Sequence, residues 1–186
     1  MSQKNLYPLT WITCSEAQKL ASNVKFGNYT GSLMFGIQWD LTLKYLEIKG
    51  TNLKELVEDS SSWGNYINSE FKLNRGKYTI RLQSIDALWY DYTESFEHHV
   101  LETIKQSNSL EDGNAIKLTT GAADVNCKNN IYDLAGNVRE LTLENSTSTY
   151  NVSRGGSYEL LGSEFTARNR NNDLSGAAVG MRISLF

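Results

Sequence analysis

Residues 130–140 read NIYDLAGNVRE and carry the most specific information about the fold. Short apolar pieces are separated there by turn-forming residues, and Gly136-Asn137 is a dipeptide that favours a tight turn. The same texture continues in RGGSY at residues 154–158 and GMR at residues 180–182. Short apolar runs between Gly, Asn, Ser and Thr predict many short strands and long ordered loops after residue 118.

The paired glycines Gly155 and Gly156 indicate an unusual backbone in the second of these motifs. Glycine can adopt a positive φ or let another backbone approach beside a strand, where a Cβ would block it. A bulge or tight corner is the simplest interpretation.

Two helices are predicted in the N-terminal third. Thr13 and Glu16 have the spacing of a capping box, and apolar residues follow with helical periodicity over 14–24. Residues 37–48 fit a strand or a helix, but their length and the following Gly50 favour a helix. Further along, the patterns predict a loop at 58–65, a strand at 78–82, a short helix at 96–104 and a loop at 108–113.

Composition limits the class of protein. The 186 residues suit one domain over 1–186, or the C-terminal domain of a longer protein. A net charge of −3 provides no basic field for nucleic acid. No run approaches the roughly 20 apolar residues that span a bilayer, and residues 1–5 lack the apolar segment of a signal peptide. We expect neither nucleic-acid binding nor membrane insertion.

The cysteines and histidines do not form a metal motif. Cys14 and Cys127 are far apart, with no second cysteine near either, so reduced thiols are predicted rather than a redox pair or a zinc site. His98 and His99 are adjacent, so they point in different directions on either a helix or a strand.

The three motifs, in this order and spacing, resemble the closing half of the formylglycine-generating-enzyme (sulfatase-modifying factor) family, a variant of the C-type lectin fold. The chain resembles, more narrowly, proteins of Gram-positive gut bacteria and their phages over roughly residues 9–186. The resemblance implies an α+β, C-type lectin-like domain with two helices packed on small twisted antiparallel sheets. The segments that carry the narrower resemblance are QWD at 38–40, SWGNY at 62–66, RGKY at 75–78 and LTTGA at 118–122.

The resemblance also implies that this copy is not an enzyme. Formylglycine generation uses copper bound by two cysteines just past the RGGS motif, whereas residues 158–165 read YELLGSEF and no cysteine follows Cys127. Without a thiolate, the soft metal has no ligand and the nucleophile is missing. The iron-dependent relatives use histidines, and none follows His99. We therefore assign no catalytic residue and no required cofactor.

Calcium is the one cofactor that the sequence suggests. The loop after Gly136 brings amide and carboxylate oxygens together, and calcium prefers oxygen ligands. In the resembled enzymes this loop holds calcium, and the matching positions here are Gly136, Val138 and Glu140. Internal hydrogen bonding within the loop is the alternative. The carboxylates of Asp124, Asp133 and Glu140 have no spacing that indicates acid–base catalysis.

A ligand-binding face is predicted between the second and third motifs. Tyrosine and arginine are favoured at binding hot spots, and asparagine supplies adaptable hydrogen bonds. In lectin-fold proteins that retroelements diversify, the resemblance implies that this stretch forms the variable face; an ordinary solvated loop is the alternative. The predicted ligand-binding residues are Tyr158, Glu159, Leu161, Ser163, Glu164, Arg168, Asn169, Arg170, Asn171, Asn172 and Asp173.

Aromatic residues elsewhere have two expected roles. Trp11, Trp39 and Trp63 are predicted to pack in the core. Residues 89–92, WYDY, are a second candidate contact with a carbohydrate or protein partner. Arg139 lies where relatives mostly carry tryptophan, and we interpret it as a surface change or an altered contact.

The sequence thus predicts a non-enzymatic ligand-binding or receptor-binding protein. Its expected partner is a protein or glycan on a cell surface, and its expected location is a phage virion or a bacterial surface. The alternatives are a structural subunit of a virion or cell surface, and a divergent oxidase that another chain completes.

Overall fold

The computed structural model describes residues 5–82, 85–86, 88–92, 104–105, 115–145 and 150–186. Over these ranges the protein is mixed α/β, with few helices and several small sheets. The two histidines, the loop at 108–113 and most of the helix at 96–104 lie outside the described residues. Ile104, the last residue of that predicted helix, belongs instead to a short strand.

Helix α1 spans Cys14–Ser22, and its capping box is confirmed. The Glu16 backbone N–H donates to the Thr13 hydroxyl, and the Thr13 N–H donates to the Glu16 carboxylate at 3.0 Å. Ala17 and Ala21 are buried, whereas Leu20 is exposed. The buried face is therefore narrower than the apolar periodicity predicts.

Helix α2 spans Gly36–Ile48 and confirms the helical interpretation of residues 37–48. One face, with Trp39, Leu43 and Leu46, is buried against the core. Gly50 follows with a φ of 98°, the left-handed conformation that ends many helices. A one-turn helix that the sequence did not predict, α3, spans Leu53–Val57, and a 3₁₀ turn spans Asp124–Asn126.

The largest sheets each contain four strands. The first has the order β13-β12-β11-β14, and in the second β4 pairs with β5, β6 and β8. The strands of the first are β11 (Arg139–Asn145), β12 (Asn151–Arg154), β13 (Arg170–Asp173) and β14 (Val179–Met181). Those of the second are β4 (Lys77–Leu82), β5 (Ile85–Asp86), β6 (Tyr90–Asp91) and β8 (Ala115–Leu118).

The named strands pair antiparallel, as predicted, except for one parallel pairing in the first sheet that the sequence analysis did not anticipate. Arg139, Glu140 and Leu141 of β11 run parallel to Val179, Gly180 and Met181 of β14. Between them the chain forms β12 and β13, includes the whole predicted binding face, and then crosses to the opposite edge of the sheet, where β14 pairs with β11. Local alternation cannot distinguish such a crossing from a hairpin.

Three smaller sheets complete the described strands. One of them joins the two ends of the chain, because β2 pairs with β15 near the C-terminus. The strands are β1 (Lys25–Phe26), β2 (Tyr29–Leu33) and β15 (Ile183–Leu185) in the first, β3 (Glu70–Phe71) and β7 (Ile104–Lys105) in the second, and β9 (Cys127–Lys128) and β10 (Ile131–Tyr132) in the third.

The main core lies between α2 and the central loops. Trp39 and Trp63 are 0% and 1% exposed, which confirms their predicted core role. Trp11 is 66% exposed, so its predicted core role is wrong. The backbone of Trp11 explains this position. It has a φ of 59°, and its backbone N–H donates to the Gly176 carbonyl, which turns the ring outward. Among the described helices, none is long and apolar enough to cross a membrane.

Candidate ligand-binding face

A rigid turn underlies the predicted binding face. Gly155 and Gly156, directly after β12, have φ angles of 92° and 69°, which confirms the predicted tight corner. A Cβ on Gly155 would lie 2.8 Å from the Leu134 carbonyl oxygen. The Gly155 carbonyl itself accepts hydrogen bonds from the Gly136 N–H and the Tyr66 hydroxyl. The two glycine motifs of the sequence thus meet in one buried contact.

The loop that follows is held by its backbone. The Ser60 N–H donates to the Gly162 carbonyl at 3.0 Å, and the Arg168 N–H donates to the Leu56 carbonyl at 3.2 Å. The Trp39 indole N–H donates to the Ala167 carbonyl at 2.9 Å. Anchors at both ends of the loop leave its side chains to project from a fixed path.

The structure separates the predicted binding residues by exposure. Tyr158 is 0% exposed, so its place on the binding face is wrong. Its ring packs inside, with the Lys117 ammonium 6.0 Å from the ring centre. The exposed members are Ser163, Glu164, Arg168, Arg170 and Asn172, and the half-buried members are Glu159, Leu161, Asn169, Asn171 and Asp173.

Strand β13 explains why alternate residues differ. Side chains alternate across a strand, and here Arg170 and Asn172 are exposed while Asn171 and Asp173 are half-buried. The Asp173 carboxylate accepts from the Ser153 hydroxyl and lies 3.5 Å from Arg139 Nε. Asp173 is therefore held by the sheet, and its place among the ligand contacts stays a prediction. Arg139 is thus half-buried beside Asp173.

A groove separates the exposed rim from helices α2 and α3. Its cavity has a volume of about 350 Å³, and a neighbouring cavity of about 290 Å³ extends it along the loop. The sequence did not identify the helical wall, although polar residues spaced along one face of α2 were the available signal. The first cavity is lined by Asp40, Leu43, Lys44, Glu47, Leu53, Leu56, Val57, Arg154, Arg168 and Arg170.

Some of the arginines that line the groove form ion pairs and one does not. Arg154, 1% exposed, donates to Asp40 from Nη2 and lies over the Trp39 ring. Arg170 donates to Glu144. Arg168 is exposed and forms no ion pair with any residue that the structure describes.

The predicted calcium loop is occupied by internal bonds. Arg182 Nε and Nη2 lie 2.5 and 2.7 Å from the two oxygens of Glu140. The Asn137 side chain bonds the backbone of Leu118, accepting from its N–H and donating to its carbonyl. Val138 is buried and Gly136 forms the buried turn contact. A guanidinium thus occupies the one carboxylate among Gly136, Val138 and Glu140, and calcium binding at these positions stays a prediction.

A separate cavity of about 230 Å³ lies beside this loop, and residues 6–9 form part of its lining. Burial raises the pKa of Asp133 to about 6, partly offset by the hydrogen bond from the Gly121 N–H. Burial also raises the pKa of Glu140, which Arg182 opposes. Asp124 instead pairs with Arg75 at the surface. Within the described ranges, no cluster of three histidine, cysteine or acidic residues could hold a metal.

The second aromatic candidate makes contacts within the protein. The Trp89 ring packs edge-on against Tyr7 at 4.8 Å, and the Tyr90 ring stacks on Tyr78 at 5.5 Å. Tyr90 is 41% exposed, so part of its surface is still open to a partner. Cys14 and Cys127 are free thiols, as predicted, and burial raises the pKa of Cys14.

No family model matches the chain, and no curated protein sequence matches it significantly. Among solved structures, the chain is similar to Treponema denticola variable protein 1, with 13% sequence identity and a TM-score of 0.44. The match covers 86% of this chain and 49% of the other, so the chain spans about half the length of that protein. Membership of the formylglycine-generating-enzyme family stays a prediction.

Proposed function

We propose that the protein is a non-enzymatic binding module that recognises a protein or glycan on a cell surface through the rim formed by Ser163, Glu164, Arg168, Arg170 and Asn172. The observation that carries this proposal is the contrast between an anchored loop backbone and exposed polar side chains. A preorganised surface loses little conformational entropy on binding, so more of the contact energy contributes to affinity. The fold we propose for it is C-type lectin-like.

The absence of enzymatic chemistry is part of the proposal. The sequence has no cysteine after Cys127, so a copper–thiolate centre next to the RGGS motif has no ligands. Of the side chains that replace that centre, Tyr158 is buried, Glu159 and Leu161 are half-buried, and Ser163 and Glu164 are exposed on the rim. Calcium is not required for this function, because the loop that would hold it is closed by Arg182.

Diversification of the rim residues by a retroelement is the most specific form of this proposal. Asn172 is exposed on β13, and Asn169 directly precedes that strand. Asparagine codons are rich in adenine. Deep sequencing of codons 154–186 in a source population tests it directly. Substitutions concentrated at adenines of rim codons, with Gly155 and Gly156 fixed, are expected; a uniform sequence would leave a binder of fixed specificity.

Binding itself is tested with labelled protein on a glycan array and on a panel of intact gut bacteria. We expect saturable binding to at least one surface, and loss of that binding in a variant with Ser163, Glu164, Arg168 and Asn172 all changed to alanine. A matched control changes Ser22, Asn28, Glu70 and Lys72, which are exposed and lie outside both the rim and the groove, to alanine. Equal binding by both variants would contradict the proposal.

A structural subunit of a virion or cell surface is the second candidate. Strand β13 lies at one end of its sheet in the described residues, and an unpaired strand edge can join another chain. Sedimentation at several concentrations separates the two functions. A monomer at all concentrations supports the binding module, and assembly into large oligomers supports the subunit.

A further inference from the structure

The first cavity of the groove between the rim and helix α2 is lined by one positive charge that has no ion-pair partner among the residues that the structure describes. Asp40 is paired with Arg154, and Glu47 is paired with Lys44 at 3.0 Å. In this cavity Arg168 is left without an ion pair among the described residues, and its backbone N–H donates to the Leu56 carbonyl; Glu164, also without an ion pair among them, lines only the neighbouring cavity. The lining of the groove therefore favours a ligand that brings its own negative charge.

A buried guanidinium at the base of the groove strengthens this preference. Arg154 lines the cavity and is 1% exposed. Its Nε and Nη1 have no hydrogen-bond partner among the described residues, and Nη1 approaches Glu144 only to 3.7 Å. A buried donor without an acceptor is costly, so a group that supplies acceptors here gains more than one at the surface.

The uncharged lining of the first cavity is aliphatic. Leu43, Leu53, Leu56 and Val57 form it, and none of the residues that line either cavity is aromatic. Sugar rings stack best on aromatic faces, whereas aliphatic side chains gain by covering aliphatic surface. The lining thus fits a peptide better than a glycan.

We infer that the groove binds a peptide segment of a partner protein in which an aspartate or glutamate lies next to an aliphatic side chain. The acidic group meets Arg168, with Arg154 behind it, and the aliphatic group covers Leu53 and Val57. This inference rests on the proposed function and names the chemical class of the partner at that site.

A phage-displayed library of random dodecapeptides tests the inference on the full chain. We expect the selected peptides to be enriched in an acidic residue beside Leu, Ile or Val. Each selected peptide is then synthesised in two forms, acidic and with the acid changed to its amide, and titrated by calorimetry. The acidic form should bind about tenfold more tightly, the effect of one charged contact, and high salt should reduce the difference.

Three variants assign this binding to the groove. Arg168→Gln should weaken the acidic peptide about tenfold without affecting the amide form, and Leu53→Ala should weaken both about fivefold. Lys72→Gln removes the same charge from an exposed position outside the groove and should change neither. Because Arg168 is a surface residue, its variant should fold normally, and its circular dichroism spectrum checks this.

The outcomes separate this inference from the proposed function. Selected peptides without acidic enrichment, or acidic peptides that are indifferent to Arg168→Gln, would overturn the inference. Binding of a sialylated or uronic-acid glycan that depends on Arg168 would also overturn it, while supporting a binding module. If the protein binds no peptide of the library, no glycan of the array and no cell of the bacterial panel, both this inference and the proposed function are overturned.

Discussion

Buried charges differ from surface charges in what their loss costs. Glu140 and Arg182 form a two-pronged ion pair with side chains only 8% and 12% exposed, whereas Lys44 and Glu47 form an exposed pair on α2. Removing one partner of a buried pair leaves the other charge without compensation, whereas an exposed partner is solvated by water.

Glu140→Gln should therefore lower the free energy of unfolding by about 3 kcal/mol. Glu47→Gln, the same chemical change in the exposed pair, should lower it by less than about 1 kcal/mol. Urea denaturation of the wild type and both variants at neutral pH measures the two values. Similar losses for the two variants would mean that Glu140 is not held by Arg182 in solution.

A second residue-scale prediction concerns pH. Since burial raises the pKa of Asp133 to about 6, above its ordinary 3.8, the unfolded chain releases this proton at a lower pH than the folded protein does. The stability that Asp133 contributes is complete below about pH 4 and is lost as the pH rises through 6, an effect of about 3 kcal/mol.

Asp133→Asn removes this titration and keeps a carbonyl that can accept from the Gly121 N–H. The unfolding free energy of the wild type minus that of the variant should thus fall by about 3 kcal/mol between about pH 4 and pH 7.5. Urea titrations at four pH values across this window measure the difference. A difference that does not vary with pH would place the Asp133 carboxyl in water.

At the scale of elements, the turn after β12 fixes where the binding face begins. Gly156 has a positive φ, and a Cβ there would overlap the carbonyl oxygen of Phe165, on the anchored loop. Gly50, after α2, also has a positive φ, but a Cβ there meets nothing within 4 Å. Comparing an alanine substitution at Gly50 with one at Gly156 therefore separates the free-energy cost of a positive φ from the cost of close packing.

Gly50→Ala should cost about 1–2 kcal/mol, the strain of a left-handed alanine. Gly156→Ala should cost clearly more, because the Phe165 carbonyl must move and the loop with it. Thermal unfolding compares the two, and binding of an acidic peptide reports whether the rim has shifted. Equal costs would show that the loop yields easily and that the rim is not preorganised.

Local patterns predicted the elements that depend on neighbouring residues. The capping box of α1, the helical face of α2 and the Gly155-Gly156 corner all follow from residues close in sequence. The partner of Glu140 could not be predicted in this way, because Arg182 comes from a separate motif that only the parallel β11–β14 pairing brings near. Tyr158 is another example: its neighbours are polar, yet its ring fills the core.

The whole molecule divides into a buried frame and an exposed rim. Exposed side chains rarely change stability by more than about 0.5 kcal/mol, whereas buried ones that fill space or bond the backbone do. The sequence predicted the rim as a stretch of the chain, but exposure on alternate residues of β13 decides which side chains belong to it.

Saturation mutagenesis should show this division. Ser163, Glu164, Arg168 and Asn172 should accept most amino acids without loss of protease resistance, whereas residues 154–158 should accept few. Display of the library followed by proteolysis and sequencing measures both sets at once. A rim as intolerant as the frame would mean that its side chains hold the fold, which would contradict the proposed division.

The pairing of β2 with β15 sets the order in which the chain can fold during synthesis. Gly31 and Leu33 pair with Leu185 and Ile183, so the sheet under α1 cannot be completed until residue 185 has left the ribosome. Contacts this distant in sequence form slowly, and unpaired strand edges are open to other chains in the meantime. Strand β2 is therefore made long before its partner β15, and its edge on that side stays unpaired until β15 is available.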